Sequence, residues 1–136
     1  VWWDGLTKAH LDRDVDFGQD RPQADFLLPK ELFDSAADNL IQNALRKRKL
    51  QADVKVKVDL GLVDGAIALN VRDTGAPVAP EVLKGLLRMP VHSESGFGIG
   101  LYQVAKLAEA SGYSLRLTEN LPGNVCFSLR SQGRWR

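Results

Sequence analysis

Two alternating segments constrain this chain most: Val54-Lys55-Val56-Lys57-Val58-Asp59-Leu60 and Ala66-Ile67-Ala68-Leu69-Asn70-Val71, joined through Gly61 to Gly65. Period-two alternation collects the apolar side chains of each segment on one face. So short a connection makes the pair an antiparallel hairpin with one face buried. At 136 residues the chain suits one compact α+β domain with a single sizeable core. Lys and Arg number 18 and Asp and Glu 17, so no strong field toward nucleic acid or membrane is implied. A lone cysteine, Cys126, excludes an internal disulfide and suits a reducing compartment. No apolar run reaches the roughly 18 residues of a membrane span.

Before the hairpin, residues 30–48 carry a helical pattern, led in by Pro29. Phe33, Ala37, Leu40, Ile41 and Ala44 fall on one face at about 100° per residue. Asn39, Asn43 and Arg46 lie on a narrow stripe beside that face. Carboxamides so close to an apolar surface need a partner, either local backbone or a ligand. The run Arg46-Lys47-Arg48-Lys49 suits a helix C-terminus and is expected to be a solvated face, with only Arg46 aligned with the asparagines. Further upstream, a helix is expected over 2–12 and short strands at 15–17 and 26–28.

After the hairpin, Asp73-Thr74-Gly75-Ala76-Pro77 places a carboxylate at a strand end before a glycine turn. It is either an Asx turn or an acceptor for an exocyclic amine of a base. A short helix is expected from Pro80, then a loop over 89–95. Gly96-Phe97-Gly98-Ile99-Gly100-Leu101 follows and runs into an apolar helix that ends at Gly112. Glycines opening a helix are either a flexible hinge or a phosphate cradle, in which backbone N–H groups and the positive dipole end face the same way. The spacing is neither a dinucleotide fingerprint, since no apolar strand precedes it, nor a Walker loop, since no Gly-Lys-Ser/Thr follows. Two final strands, 114–118 and 125–129, flank a turn over 120–124, with Cys126 packed as a small apolar residue or on the back of the sheet.

In that order, the Asn-x-x-x-Asn helix, the strand ending in Asp-x-Gly and the Gly-x-Gly-x-Gly loop resemble the GHKL ATPase superfamily over residues 25–131. Asp38-Asn39-Leu40-Ile41-Gln42-Asn43-Ala44-Leu45-Arg46 is similar to the asparagine box of sensor histidine kinases, and the glycine loop to their second glycine box. The resemblance implies a two-layer Bergerat-type α/β sandwich, a mixed and mostly antiparallel sheet with helices on one face. It implies ATP and Mg²⁺ as ligands. Asn43 would bind Mg²⁺, Asn39 line the phosphates and Arg46 reach them, while Asp73 would accept the adenine amine and Gly75 let the base approach. Gly96, Phe97, Gly98, Ile99, Gly100 and Leu101 would form the lid over the triphosphate.

The chain departs from the family in three places. Pro77 stands where a second glycine is usual, Val125 or a neighbour where a threonine is usual, and Leu86-Leu87 is what remains of a phenylalanine-rich stretch before a short lid. Neither His10 nor His92 has the setting of a phosphoacceptor. The chain opens on Val1-Trp2-Trp3, and the expectation is a single catalytic domain over 1–136, with 1–14 the connection from a dimerisation and phosphoacceptor domain. The implied activity is transfer of the γ-phosphoryl group of ATP to a histidine of that domain. Its implied setting is a homodimeric, membrane-anchored parent with this domain in the cytoplasm, a response regulator downstream and no nucleic-acid partner. The alternatives are a stand-alone serine kinase of the anti-sigma type, an interaction module whose pocket has degraded, and a nucleic-acid binder using residues 46–49.

Overall fold

The computed structural model describes residues 15–18, 29–63, 66–80 and 99–132. In chain order they form β1 (Val15–Phe17), α1 (Lys30–Arg46) with a 3-10 turn at Lys47–Lys49, β2 (Val56–Val63), β3 (Ala66–Asp73), α2 (Ile99–Ala110), β4 (Tyr113–Leu121) and β5 (Asn124–Ser131). The expected helix over 2–12, the strand at 26–28, the helix after Pro80, the loop 89–95, His10 and His92 lie outside the described residues. No helix among the described residues is long and apolar enough to cross a membrane.

The strands form one sheet in the order β1-β2-β3-β5-β4. Only β1 with β2 is parallel; the other pairs are antiparallel. Both helices pack on one face, where Phe33, Ala37, Leu40, Ile41 and Ala44 of α1 and Leu101, Val104 and Ala108 of α2 meet Val56, Val58, Leu69, Val71, Phe127 and Leu129. This is the two-layer α+β sandwich expected, and the α1 face read from the sequence is buried as drawn. Pro29 sits at the α1 N-cap position, Glu31 is in the first turn and Arg46 in the last, which suits the helix dipole.

The hairpin turns later than Gly61 suggests. Gly61 lies within β2 opposite Ala68, and β2 runs on to Val63. Likewise β4 and β5 extend to Leu121 and Asn124, so the last turn is the tight Pro122-Gly123. Gly123 takes φ +81° there and Gly112 takes φ +77° after α2, a backbone region that glycine enters without a Cβ clash.

Cys126 is buried on the face away from the helices, in a row of polar side chains. Ser128 Oγ donates to Asn70 Oδ1 at 2.6 Å, and Arg72 Nη1 donates to Glu119 Oε2 at 2.9 Å, with Asn124 bonded to both partners of that pair. The bonds from Arg72 and Asn124 hold the Glu119 carboxyl below the usual carboxylate range. A lowered folded-state pKa gives stability that is full above the unfolded-state value and lost as pH falls through the folded one. Glu119→Gln is therefore expected to melt slightly below wild type at pH 7 and level with it in strong acid. Thermal scans across pH check this, and a difference that persists in acid would contradict it. The pair is half-exposed, so the effect is small.

Candidate functional site

The C-terminal half of α1 presents the stripe read from the sequence. Asn43 is 6% exposed, and its Oδ1 accepts a bond from Arg46 Nη1 at 2.9 Å. The exposed guanidinium of Arg46 is thereby tethered one turn along the helix. One turn earlier, Asn39 Nδ2 donates to the Ser35 carbonyl at 2.8 Å, which is the local backbone bond such a residue can make. Its Oδ1 faces α2: a Cβ placed on Gly100 would stand 2.4 Å from it. Gly100 has helical backbone, so its value is the missing side chain rather than conformational freedom. It lets the N-terminus of α2 seat on Asn39.

At the end of β3, Asp73 is 5% exposed, between Val56 of β2 and Val125 of β5. Its Oδ1 accepts the Gly75 N–H at 2.8 Å, the Asx turn allowed by the sequence. Both carboxylate oxygens also accept from Lys47 Nζ, at 2.9 and 3.1 Å, and the same ammonium donates to the Ala76 carbonyl at 2.8 Å. A Cβ on Gly75 would lie 2.6 Å from Lys47 Cδ, so a side chain there would have to push the lysine stem aside. The loop beyond is clipped to the last hairpin: Gly123 N–H donates to Gly75 O at 3.1 Å, and the Asn120 amide bonds both Val78 N–H and Val78 O. Pro77 sits exposed between these clips.

These contacts correct one expectation. The run 46–49 is not simply a solvated face: the Lys47 side chain is 12% exposed, and Arg48 Nε donates to Val54 O at 2.9 Å. Burial of Asp73 demands a counter-charge, and Lys47 supplies it. Lys47 is the member of this cluster that sequence reading missed. The signal available was a strand-end carboxylate whose one cationic neighbour in sequence, Arg72, alternates to the opposite face of the sheet and pairs with Glu119.

The model of the histidine kinase-, DNA gyrase B- and HSP90-like ATPase family matches residues 30–132. The chain belongs to this family. No curated protein sequence matches it. Among solved structures, the catalytic domain of histidine kinase ThkA aligns with TM-score 0.77 and 18% identity over 96% of this chain and 89% of that one. Full-length ShkA in complex with AMPPNP aligns with TM-score 0.77 and 20% identity, over 96% of this chain and 29% of that one. ThkA in complex with the response regulator TrrA aligns with TM-score 0.72 and 18% identity, over 96% of this chain and 39% of that one. At these identities the likeness is one of fold, and the chain spans under two fifths of the ShkA chain and of the ThkA chain in its regulator complex.

In this ATPase domain Gly96, Phe97 and Gly98 lie outside the described residues, and Ile99 opens α2. Leu101 is fully buried in the core, which leaves only its backbone N–H to meet a ligand. Val125 is fully buried as well. Among the described residues no group of three or more His, Cys, Asp or Glu could hold a metal. The donors present are amide oxygens. Asn43 Oδ1 keeps a second lone pair beside the one used by Arg46, which fits Mg²⁺ carried in by phosphate oxygens and water but not a metal held by protein alone. A cavity of about 560 Å³ opens among Asp16, Lys55, Lys57, Arg72 and Thr74; among the described candidate residues only Asp73 reaches it.

Proposed function

We propose that this domain binds Mg-ATP and passes the γ-phosphoryl group to a histidine on the dimerisation domain of a sensor histidine kinase. The observation that carries the reading is the placement along α1. Asn39 meets Gly100 of α2 and Lys47 meets Asp73 of β3, eight residues apart, or ~12 Å of helical rise. That is on the order of the distance from base to terminal phosphate in a nucleoside triphosphate. Asn43 and Arg46 lie between. Family membership and the fold shared with ThkA and ShkA support the same reading.

In this scheme Asp73 accepts the exocyclic amine of adenine, and Gly75 lies under the base. Arg46, aimed by Asn43, neutralises phosphate charge; Asn39 and the backbone N–H groups of Gly100 and Leu101 line the phosphates, beneath a lid formed by 96–101. Mg²⁺, bound through Asn43 and the phosphates, would supply charge neutralisation. The acceptor histidine brings the nucleophile, so the chain's own share is positioning and electrostatics. The proposed setting is the cytoplasmic part of a homodimeric, membrane-anchored parent in a two-component pathway. The likeness to ThkA in its regulator complex is consistent with a response regulator as the downstream partner.

Calorimetric titration of ATP and ADP, with and without Mg²⁺, tests this. Wild type is expected to bind both, GTP to compete poorly, and Asp73→Asn to weaken binding at least tenfold, since a hydrogen bond to a charged group contributes about 1.5–3 kcal/mol. Asn43→Ala should remove the benefit of Mg²⁺ for ATP while leaving adenosine binding intact. Asp73→Asn binding as wild type does would sink the assignment of the base site.

A further inference from the structure

We propose that Lys47 holds the base position shut in the nucleotide-free protein, as an internal stand-in for the purine's exocyclic amine, so that a nucleotide binds only by displacing it. The inference rests on Asp73 being the base acceptor. An ammonium has three N–H donors, and here the three nearest acceptors are both oxygens of Asp73 and the carbonyl of Ala76. None is left over for a ligand. The aliphatic stem completes the block, because its Cδ occupies the space that a Cβ on Gly75 would need. The carboxylate that would take the amine and the open backbone that would admit the ring are therefore covered by one side chain.

Displacement is within the reach of this side chain. Lys47 starts the 3-10 turn that ends α1, a turn with no buried residue, and four methylenes carry its charge. A change of rotamer moves the ammonium off Asp73 without disturbing the core. The arriving amine then satisfies the carboxylate in its place, and the freed ammonium turns to solvent at the exposed end of α1. Apparent affinity falls by the fraction of molecules in which the latch is open, so an open fraction of about 10% weakens binding about tenfold.

Adenosine, which has no phosphate to attract the freed cation, is the probe. It is titrated into wild type, Lys47→Ala, Lys47→Arg and Asp73→Asn, while the ¹⁵N ammonium signal of Lys47 is followed by NMR in wild type. The expected result is binding about tenfold tighter in Lys47→Ala, which removes both ammonium and stem, unchanged in Lys47→Arg and lost in Asp73→Asn, with the Lys47 signal protected in the free protein and shifted at saturation. Equal or weaker binding by Lys47→Ala, or a Lys47 signal that adenosine leaves unmoved, overturns the latch. Asp73→Asn binding as well as wild type overturns the base site itself, and with it the latch. If Lys47→Ala does not fold, the wild-type NMR signal decides alone.

Discussion

Phe33→Ala is expected to cost about 3–5 kcal/mol of folding stability, the range for removing a buried aromatic side chain from a close-packed core. Phe33 is completely buried on the α1 face that meets the sheet, and its ring stands edge-on to Tyr113, with centroids 5.6 Å apart at 89°. Such a pairing adds to plain area burial. A domain of this size has about 5–15 kcal/mol in all, so one substitution removes a large share of it. Urea unfolding measures the loss directly, with Phe33→Leu as the control that keeps most of the volume and should lose far less. A loss below 1 kcal/mol for Phe33→Ala would mean that α1 is not seated on the sheet through this residue.

Phe33 was legible in the sequence because its environment is periodic. An amphipathic helix over a sheet repeats its burial every three to four residues, and Phe33, Ala37, Leu40, Ile41 and Ala44 carry that repeat openly. The hairpin was legible for the same reason, with a period of two. Strand ends were read less well: Gly61 looks like a turn residue, but it pairs with Ala68 because nothing in the sheet requires a side chain there. At the site, the Asn43 to Arg46 bond follows from helical spacing, since residues three apart share a face. The bond from Lys47 to Asp73 does not. It joins residues 26 apart and depends on where the end of α1 comes to lie against the end of β3. Contacts set by periodicity can be read from sequence, whereas contacts set by where one element ends against another depend on the packed fold.

Gly100→Ala is expected to weaken ATP binding at least tenfold while changing stability by no more than about 2 kcal/mol. Two effects oppose each other in stability: alanine gains about 1 kcal/mol over glycine inside a helix, and overpacking at a tight contact costs about 1–3 kcal/mol. The new Cβ would lie 2.4 Å from Asn39 Oδ1, closer than real contacts allow. Asn39 has little freedom to yield, because its Nδ2 is bonded to the Ser35 carbonyl. Either that bond breaks or the N-terminus of α2 lifts from α1, and both displace groups that the proposed scheme assigns to the phosphates. Adding Asn39→Ala separates the two consequences. The double variant removes the clashing oxygen and should recover the stability lost by Gly100→Ala, a coupling that a double-mutant cycle reads directly. ATP affinity should stay low, because the asparagine oxygen is itself part of the phosphate wall. Recovery of affinity along with stability would show that Asn39 is only a packing partner for Gly100, and the phosphate site would then rest on Asn43, Arg46 and the backbone N–H groups of Gly100 and Leu101.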